Sequence, residues 1–413
     1  MKKAHLGIIS VLVLLISACT VGCTVSSATD LMEGISSGDV IGRPADDTFI
    51  ENMADFSVEL SKNSFTEKEN SLISPISVIY ALAMTANGAD NKTLEQMEQV
   101  LGGDIPLTEL NGYLYSYAKS LPSDKKAKFG MANSIWLRDE ERLQVDPDFL
   151  QTNADYYNAA IFKSAFDANT LKDINRWVKS NTDGMIDKIL DEIDPDTVAY
   201  LINATVFDAE WKEIYTKDSI NEDVFTDING EEQDIDFMYS EEYQYLSDDK
   251  ATGFVKPYAG GQYSFAALLP NEDVRIEDYI KTLSGSHFIE MINNAENIDV
   301  MTSIPKFSYD YEITMNSALK RLGMPDAFDS VKADFSKMAT SERGNIFIYE
   351  VLHKTFITVD ERGTKAGAAT VVEMAGGGAP GEPKSVYLDR PFIYAIVDNE
   401  TGLPLFLGTV VTV

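Results

Sequence analysis

Cysteine is scarce in this chain of 413 residues, and its scarcity excludes several kinds of site. The two cysteines, Cys19 and Cys23, both lie near the N-terminus. The rest of the chain therefore has no disulfide, no thiol nucleophile and no cysteine-based metal site.

The three histidines do not indicate a catalytic site either. His5 lies near the N-terminus, so a Ser-His-Asp triad would need His287 or His353. His287 lies in a polar stretch and is predicted at the surface, whereas His353 lies in an apolar strand and is predicted to be structural. The motifs HExxH and GxxxxGK[ST] are absent. We therefore predict no catalytic residue, no metal site and no cofactor.

Basic residues are few compared with acidic ones. The chain has 34 Lys and Arg against 66 Asp and Glu, which gives a formal net charge of -32. Such a charge argues against nucleic-acid binding and repels anionic membranes. Hydrophobic residues make up 44% of the chain, enough for a packed core.

The N-terminus has the pattern of an export signal. Lys2 and Lys3 precede an apolar run at 6–16, which is too short to span a membrane as a helix. The tetrapeptide ISAC that ends at Cys19 resembles a prokaryotic lipobox, in which the cysteine carries the lipid.

We therefore predict a signal peptide at 1–18, lipidation of Cys19 and anchoring at the cell surface, with the lipid as the only contact with a membrane. An ordinary secretory signal, and a secreted protein, is the alternative. Residues 19–47 are rich in Ser, Gly and Asp and are predicted to be a flexible tether, followed by one domain at 48–413.

Periodicity predicts an α+β fold around antiparallel or mixed sheets. Phe49, Met53, Phe56 and Leu60 have helical spacing. Further helices are predicted from Pro75, with Ser74 as its cap, from a capping box at Thr93 and Gln96, and over 174–190. Strands are predicted at 263–270, 347–360, 391–399 and 404–413.

The stretch at 360–385, DERGTKAGAATVVEMAGGGAPGEPKS, combines two tendencies. Its even positions from Thr364 to Met374 are small or apolar, which predicts a strand with one buriable face. Residues 375–383 are nearly all Gly, Ala and Pro, which predicts a loop.

Nine stretches resemble the serpin family, in the family's order, over essentially all of 49–413. They are NSLISPISVIYALAMTANGADNKT, ANSIW, INRWVKSNTDGMI, LINATVFDAEW, IPKF, LGMPDAF, ADFSKM, HKTFITVDERGTKAGAAT and RPFIYAI.

The resemblance implies a single-domain serpin fold, with N-terminal helices packed on a large central β-sheet, further sheets, and an exposed reactive-centre loop at about 361–386. It implies a monomer that inhibits a serine protease by a suicide mechanism. The protease cleaves the loop and forms a covalent 1:1 acyl-enzyme, and the cleaved loop inserts into the sheet. The alternative is a non-inhibitory serpin that acts as a carrier, chaperone or storage protein.

Residue roles follow from the matched motifs. The hinge is matched by Glu361, Gly363, Thr364, Ala366, Ala368 and Ala369. Lys306 is matched to the partner of Glu361, and Trp211 to the place where the sheet first opens. A polar cluster at the middle of the sheet is matched by Ser74, Ser77, Asn203 and His353.

The scissile bond is predicted between Gly377 and Gly378, with Met374, Ala375 and Gly376 as alternatives because the loop is longer than usual for the family. Small residues there favour elastase-like or subtilisin-like proteases. Lys365, where the family often has an acidic residue, and Gly367, which interrupts an alanine run, depart from the family pattern.

Overall fold

The computed structural model describes residues 27–121, 126–139, 143–194, 197–342, 344–364 and 383–413. Over these residues helices pack against mixed β-sheets, which confirms the predicted α+β class. Within the same ranges, no helix has both the length and the apolar character needed to cross a membrane.

The described residues form helices that pack on both faces of the central sheet. They are α1 (Asp47–Ser64), α2 (Pro75–Ala86), α3 (Asn91–Gly102), α4 (Leu107–Ser120), α5 (Pro147–Tyr157), α6 (Ala168–Asn181), α7 (Ile276–Thr282), α8 (Gly285–Asn293) and α9 (Asn316–Leu322).

The strands are β1 (Thr29–Asp30), β2 (Ser71–Ile73), β3 (Ala127–Arg138), β4 (Gln144–Val145), β5 (Ala160–Ser164), β6 (Ala199–Glu210), β7 (Ile220–Thr226), β8 (Glu232–Glu242), β9 (Tyr245–Ser247), β10 (Ala251–Pro257), β11 (Tyr263–Pro270), β12 (Val300–Pro305), β13 (Phe307–Thr314), β14 (Ala339–Thr340), β15 (Glu350–Val359), β16 (Gly363–Thr364), β17 (Lys384–Tyr387), β18 (Phe392–Asp398) and β19 (Pro404–Val410). The central sheet has the order β1-β5-β3-β6-β16-β15-β13, the second sheet β2-β19-β18-β11-β10-β9, and the third sheet β17-β12-β8-β7; β4 and β14 form a pair.

The predicted first helices are confirmed, with one correction. Phe49, Met53, Phe56 and Leu60 are all buried along α1. Helix α2 begins at Pro75, and every residue in it is buried, as expected for a helix inside the core. Ser74 stands at its N-cap position, but its side chain makes no capping bond.

Two helix boundaries differ from the prediction, one because of a tertiary contact and one because of a local hydrogen bond at the helix end. Helix α3 begins at Asn91, and Thr93 Oγ1 accepts from the amide of Asp334 instead of forming a capping box. Helix α6 ends at Asn181, where Thr182 bonds back to Val178, so residues 182–190 are not helical.

The predicted strands are confirmed to within a few residues at their ends, and β11 has the predicted bounds. One face of the central sheet packs on α2 and on the aromatic side chains of the second sheet. The other face is covered by α6 and the chain after it, through residues such as Ile174 and Val178.

The predicted tether at 19–47 is corrected for its described part, residues 27–46. Thr29 and Asp30 pair with β5, and the amide of Gly38 donates to Asp155 at 2.7 Å. A polar composition predicted flexibility, but the edge strand β5 offers unpaired backbone groups that the segment satisfies. The segment therefore lies on the body.

Candidate functional site

The central strands β6 and β15 run parallel and separate towards one end. They pair directly over six residues, from Tyr200 opposite Glu350 to Thr205 opposite Thr355. Beyond that point a short third strand lies between them. The site is this junction, where the sheet changes from closed to open.

The third strand is β16, the first part of the predicted hinge. Thr364 pairs with Val359 of β15 and with Ala209 of β6, antiparallel to both. Its side chain is 1% exposed and bonds through Oγ1 to the hydroxyl of Tyr258 at 2.6 Å. The hinge is therefore already inside the sheet at its first even position.

Glycine is required at 363 because β6 lies too close for a side chain. A Cβ atom there would lie 2.0 Å from the carbonyl oxygen of Ala209 and 2.8 Å from Cα of Glu210. Both contacts are with backbone atoms, which cannot rotate away from a clash as a side chain can. The matched hinge glycine thus has a steric reason in this chain.

The turn before β16 is held by an aromatic platform, which we define as Trp211, Tyr215 and Tyr258. The amide and the indole Nε1 of Trp211 donate to the carbonyls of Arg362 and Asp360, at 2.8 and 2.9 Å. The amide of Tyr215 donates to the Glu361 carbonyl at 2.9 Å. The ring of Trp211 stacks on that of Tyr258, with 4.5 Å between centroids.

Lys306 and Glu361 lie together at the rim of the opening. The Lys306 ammonium is 3.0 Å from Glu361 Oε2 and 3.4 Å from Asp236 Oδ2, and both partners in the first pair are partly exposed. A hydrogen bond from its own amide, together with the Lys306 ammonium, holds the pKa of Glu361 below its ordinary value. A pair this exposed contributes little stability.

The four residues matched to the mid-sheet cluster meet where β6 and β15 are still paired. Asn203 and His353 are partners across the two strands, and His353 Nδ1 bonds to Asn203 Oδ1. His353 Nε2 accepts from the amide of Ser74 at 3.1 Å, and Asn203 Nδ2 donates to Ser77 Oγ. The sequence missed a fifth member, Asn133 of β3, whose Oδ1 also accepts from Asn203.

Two hydroxyls beside this cluster are buried without a hydrogen-bond partner among the described residues. They are Ser74 Oγ and Thr205 Oγ1. Buried polar atoms usually have partners, and leaving one unpaired costs about 1–3 kcal/mol. Among the described residues, the closed sheet therefore leaves two buried hydroxyl groups near its centre without a hydrogen bond.

His353 is neutral in the native protein, because burial lowers its pKa to about 3. In the unfolded chain an ordinary histidine binds a proton below about pH 6.5. Between those values the unfolded state holds one more proton, so stability falls as the pH falls.

We expect this histidine alone to reduce the free energy of unfolding by about 2 kcal/mol between pH 7 and pH 5. The measurement is denaturant unfolding at both pH values for the wild type, His353→Gln and the surface control His287→Gln. Only His353→Gln is expected to lose this part of the pH dependence. An equal pH dependence in all three proteins would contradict a buried neutral His353.

Several predicted residues lie outside the described residues: Ala366, Ala368, Ala369, Met374, Ala375, Gly376, Gly377, Gly378 and Cys19. Sequence reasoning missed Tyr215 and Tyr258. Both lie just outside the strands, so no alternating apolar pattern indicates them.

The chain is similar to known proteins over most of its length. Residues 51–413 match the family described as Serpin (serine protease inhibitor). Leukocyte elastase inhibitor A of Mus musculus is 31% identical over 381 residues, which cover 86% of this chain and 97% of that protein.

Two solved structures of the thermophilic serpin tengpin are also similar. The native state is 56% identical with a TM-score of 0.91, covering 94% of this chain and 100% of that chain. The latent state is 53% identical with a TM-score of 0.81, covering 90% of this chain and 100% of that chain.

Proposed function

This chain belongs to the serpin family, and on that basis we propose that it is a suicide inhibitor of serine proteases. The catalytic groups would belong to the protease. Its serine attacks a loop carbonyl near Gly377, the peptide bond breaks, and the C-terminal segment leaves with a new amino group. The remaining ester joins the two proteins while the loop inserts into the central sheet.

The observation that carries this proposal is the position of β16 between β6 and β15. In an antiparallel pair, later residues of one strand face earlier residues of the other. Thr370, six residues after Thr364, would therefore face Asn203, six before Ala209, and His353, six before Val359. Asn203 and His353 are already partners, so β6 and β15 need to move apart but not to slide.

The same register gives each even residue of the loop a buried position. Ala368 would lie between Thr205 and Thr355, both 0% exposed, on the face that already buries Thr364. Small side chains at 366 and 368 suit entry into so closely packed a space. The hydroxyl of Thr370 would arrive between His353 and Asn203, whose mutual bond must break as the strands part.

The loop sequence supports a target with a shallow specificity pocket. Residues 375–379 are Ala, Gly, Gly, Gly and Ala, none of which fills a deep pocket. We infer an elastase-like or subtilisin-like serine protease as the partner. Neither Lys384 nor Arg390 lies within this segment, which argues against a trypsin-like target.

The test is incubation of the chain from residue 27 onwards with elastase-like, subtilisin-like and trypsin-like proteases. An inhibitor gives an SDS-stable 1:1 complex and a released C-terminal peptide that begins near Gly378. Cleavage at the same bond without a complex, for every protease tried, would instead support a non-inhibitory serpin.

We also propose that the protein is exported and anchored through lipid on Cys19. The expected result is that the full chain fractionates with membranes and that Cys19→Ser is released or left unprocessed. Equal solubility of the two proteins would support simple secretion instead.

A further inference from the structure

A buried ion pair lies directly beneath the aromatic platform. Lys256 of β10 and Glu242, the last residue of β8, are 2% and 7% exposed in their side chains, and Nζ lies 2.6 Å from Oε1. The pair joins the second sheet to the third. Well-packed apolar residues are often at least as stabilising as a buried ion pair. Stability alone therefore does not explain why an ion pair lies at this position.

The lysine contacts the platform through its charge. Its ammonium lies 4.4 Å from the ring centroid of Tyr215 and 5.5 Å from that of Trp211. At these distances a desolvated cation is attracted to the ring face and restricts where the ring can lie. Burial alone would lower the pKa of Lys256, but Tyr215 and Glu242 more than offset it and hold the pKa above its ordinary value.

The carboxylate is fixed from the other side. Ser240 Oγ donates to Glu242 Oε1 at 2.7 Å and lies 3.2 Å from the hydroxyl of Tyr215. Thr302 Oγ1 lies 3.0 Å from the same Ser240 oxygen. The anion that positions Lys256 is therefore itself held by two strands of the third sheet.

The platform passes this restraint to the hinge. Trp211 and Tyr215 bind the carbonyls of 360–362, and Tyr258, two residues after Lys256, binds Thr364. One layer of side chains thus separates the ion pair from the residues that begin the inserted strand.

We propose that Lys256 and Glu242 are a positioning pair, which holds the platform so that the hinge starts insertion in the correct register. The inference rests on the proposed function, because positioning matters only if the loop inserts. A cleaved loop with a misplaced hinge would insert more slowly, and the protease would have time to hydrolyse the ester. The pair would then govern how many inhibitor molecules are trapped and how many are merely cleaved.

The test compares the wild type, Lys256→Met and Lys281→Met. Methionine fills much of the same space without leaving a large cavity, and Lys281 is an exposed lysine of α7 that serves as the matched control. We expect Lys256→Met to raise the ratio of cleaved to trapped inhibitor about thirtyfold, the factor for one lost desolvated cation–ring contact, at a similar cleavage rate. Because the substitution leaves the Glu242 carboxylate buried without its cation, the melting temperature should also fall by a few degrees.

A second readout needs no protease. The amides of Trp211 and Tyr215 donate to the hinge turn, so hydrogen exchange at these two amides should accelerate in uncleaved Lys256→Met and stay unchanged in Lys281→Met. If Lys256→Met does not fold, Glu242→Gln, which keeps an acceptor for Ser240, should give both effects.

The outcomes separate the two proposals. If the wild type forms no complex, the proposed function fails, and amide exchange alone decides whether the pair positions the hinge. Wild-type exchange and a wild-type trapping ratio in Lys256→Met would overturn the positioning role. A lower melting temperature with an unchanged ratio would do the same, since the pair would then be structural only.

Discussion

A single cut near Gly377 is expected to raise the melting temperature of this protein by about 10–20 °C, whereas a nick in an ordinary loop lowers it. Insertion of residues 365–374 would bring about twenty backbone donors and acceptors into the central sheet. Separating the six residue pairs of β6 and β15 loses about six bonds. The net gain of about 14 bonds, at about 1 kcal/mol each, is as large as the whole free energy of unfolding of many domains.

The temperature shift follows from the size of the domain. Unfolding entropy is about 2 cal/mol/K per residue, so about 370 residues give about 0.8 kcal/mol/K, and each added kcal/mol raises the melting temperature by about 1 °C. The measurement is calorimetry before and after limited cleavage by any protease that cuts the loop once. A shift of no more than a degree or two after a clean cut would mean that the loop does not insert.

Replacing Ala368 by arginine is expected to convert the inhibitor into a substrate. The register of β16 directs residue 368 towards Thr205 and Thr355 in the interior, where a charge without a partner costs several kcal/mol. Cleavage needs only an accessible loop, so it should proceed at a similar rate. Insertion would stall, and the protease would hydrolyse the ester and leave.

Lys365→Arg is the control, because the same register would place residue 365 on the opposite face of the strand, between Asp208 and Thr358, which are both partly exposed. We expect it to keep most of the covalent complex that Ala368→Arg loses, as measured by the fraction of protease trapped on SDS gels. Position 364 is unsuitable for this comparison, since Thr364 is already buried before cleavage. Equal trapping by the two arginine variants would refute the alternation of buried and exposed loop residues.

The sequence was most informative where a pattern is local. The even positions from Thr364 predicted one buriable face, and the structure buries the first of them against Tyr258. The helical spacing from Phe49 to Leu60 predicted α1 for the same reason, because periodicity alone determines which side of an element is apolar.

What the sequence could not predict depends on contacts between distant segments. Asn133 is adjacent to Asn203 only because β3 and β6 are neighbours, and nothing in the stretch ANSIW indicates that partner. Lys256 gave no signal either, because its counter-charge, Glu242, lies on another sheet. That β16 already lies within the sheet is likewise a property of the assembled strands.

The central claim is that the cleaved loop enters between β6 and β15, and a reversible cross-link tests it most directly. Ala204 and Lys354 are partners on these strands, and adjacent strands lie about 4.8 Å apart, within the range that a disulfide can bridge. The wild-type chain has no cysteine after Cys23, so Ala204→Cys/Lys354→Cys would introduce one defined pair. The melting temperature is measured after loop cleavage, with the pair oxidised and then reduced.

The account predicts that the oxidised double variant is cleaved with at most a small part of the gain in melting temperature, because only residues before 369 could enter, and without trapping protease. Reduction should restore both the gain and the trapping. A full rise in melting temperature while the disulfide remains intact would show that the loop does not insert between β6 and β15, and would contradict the mechanism.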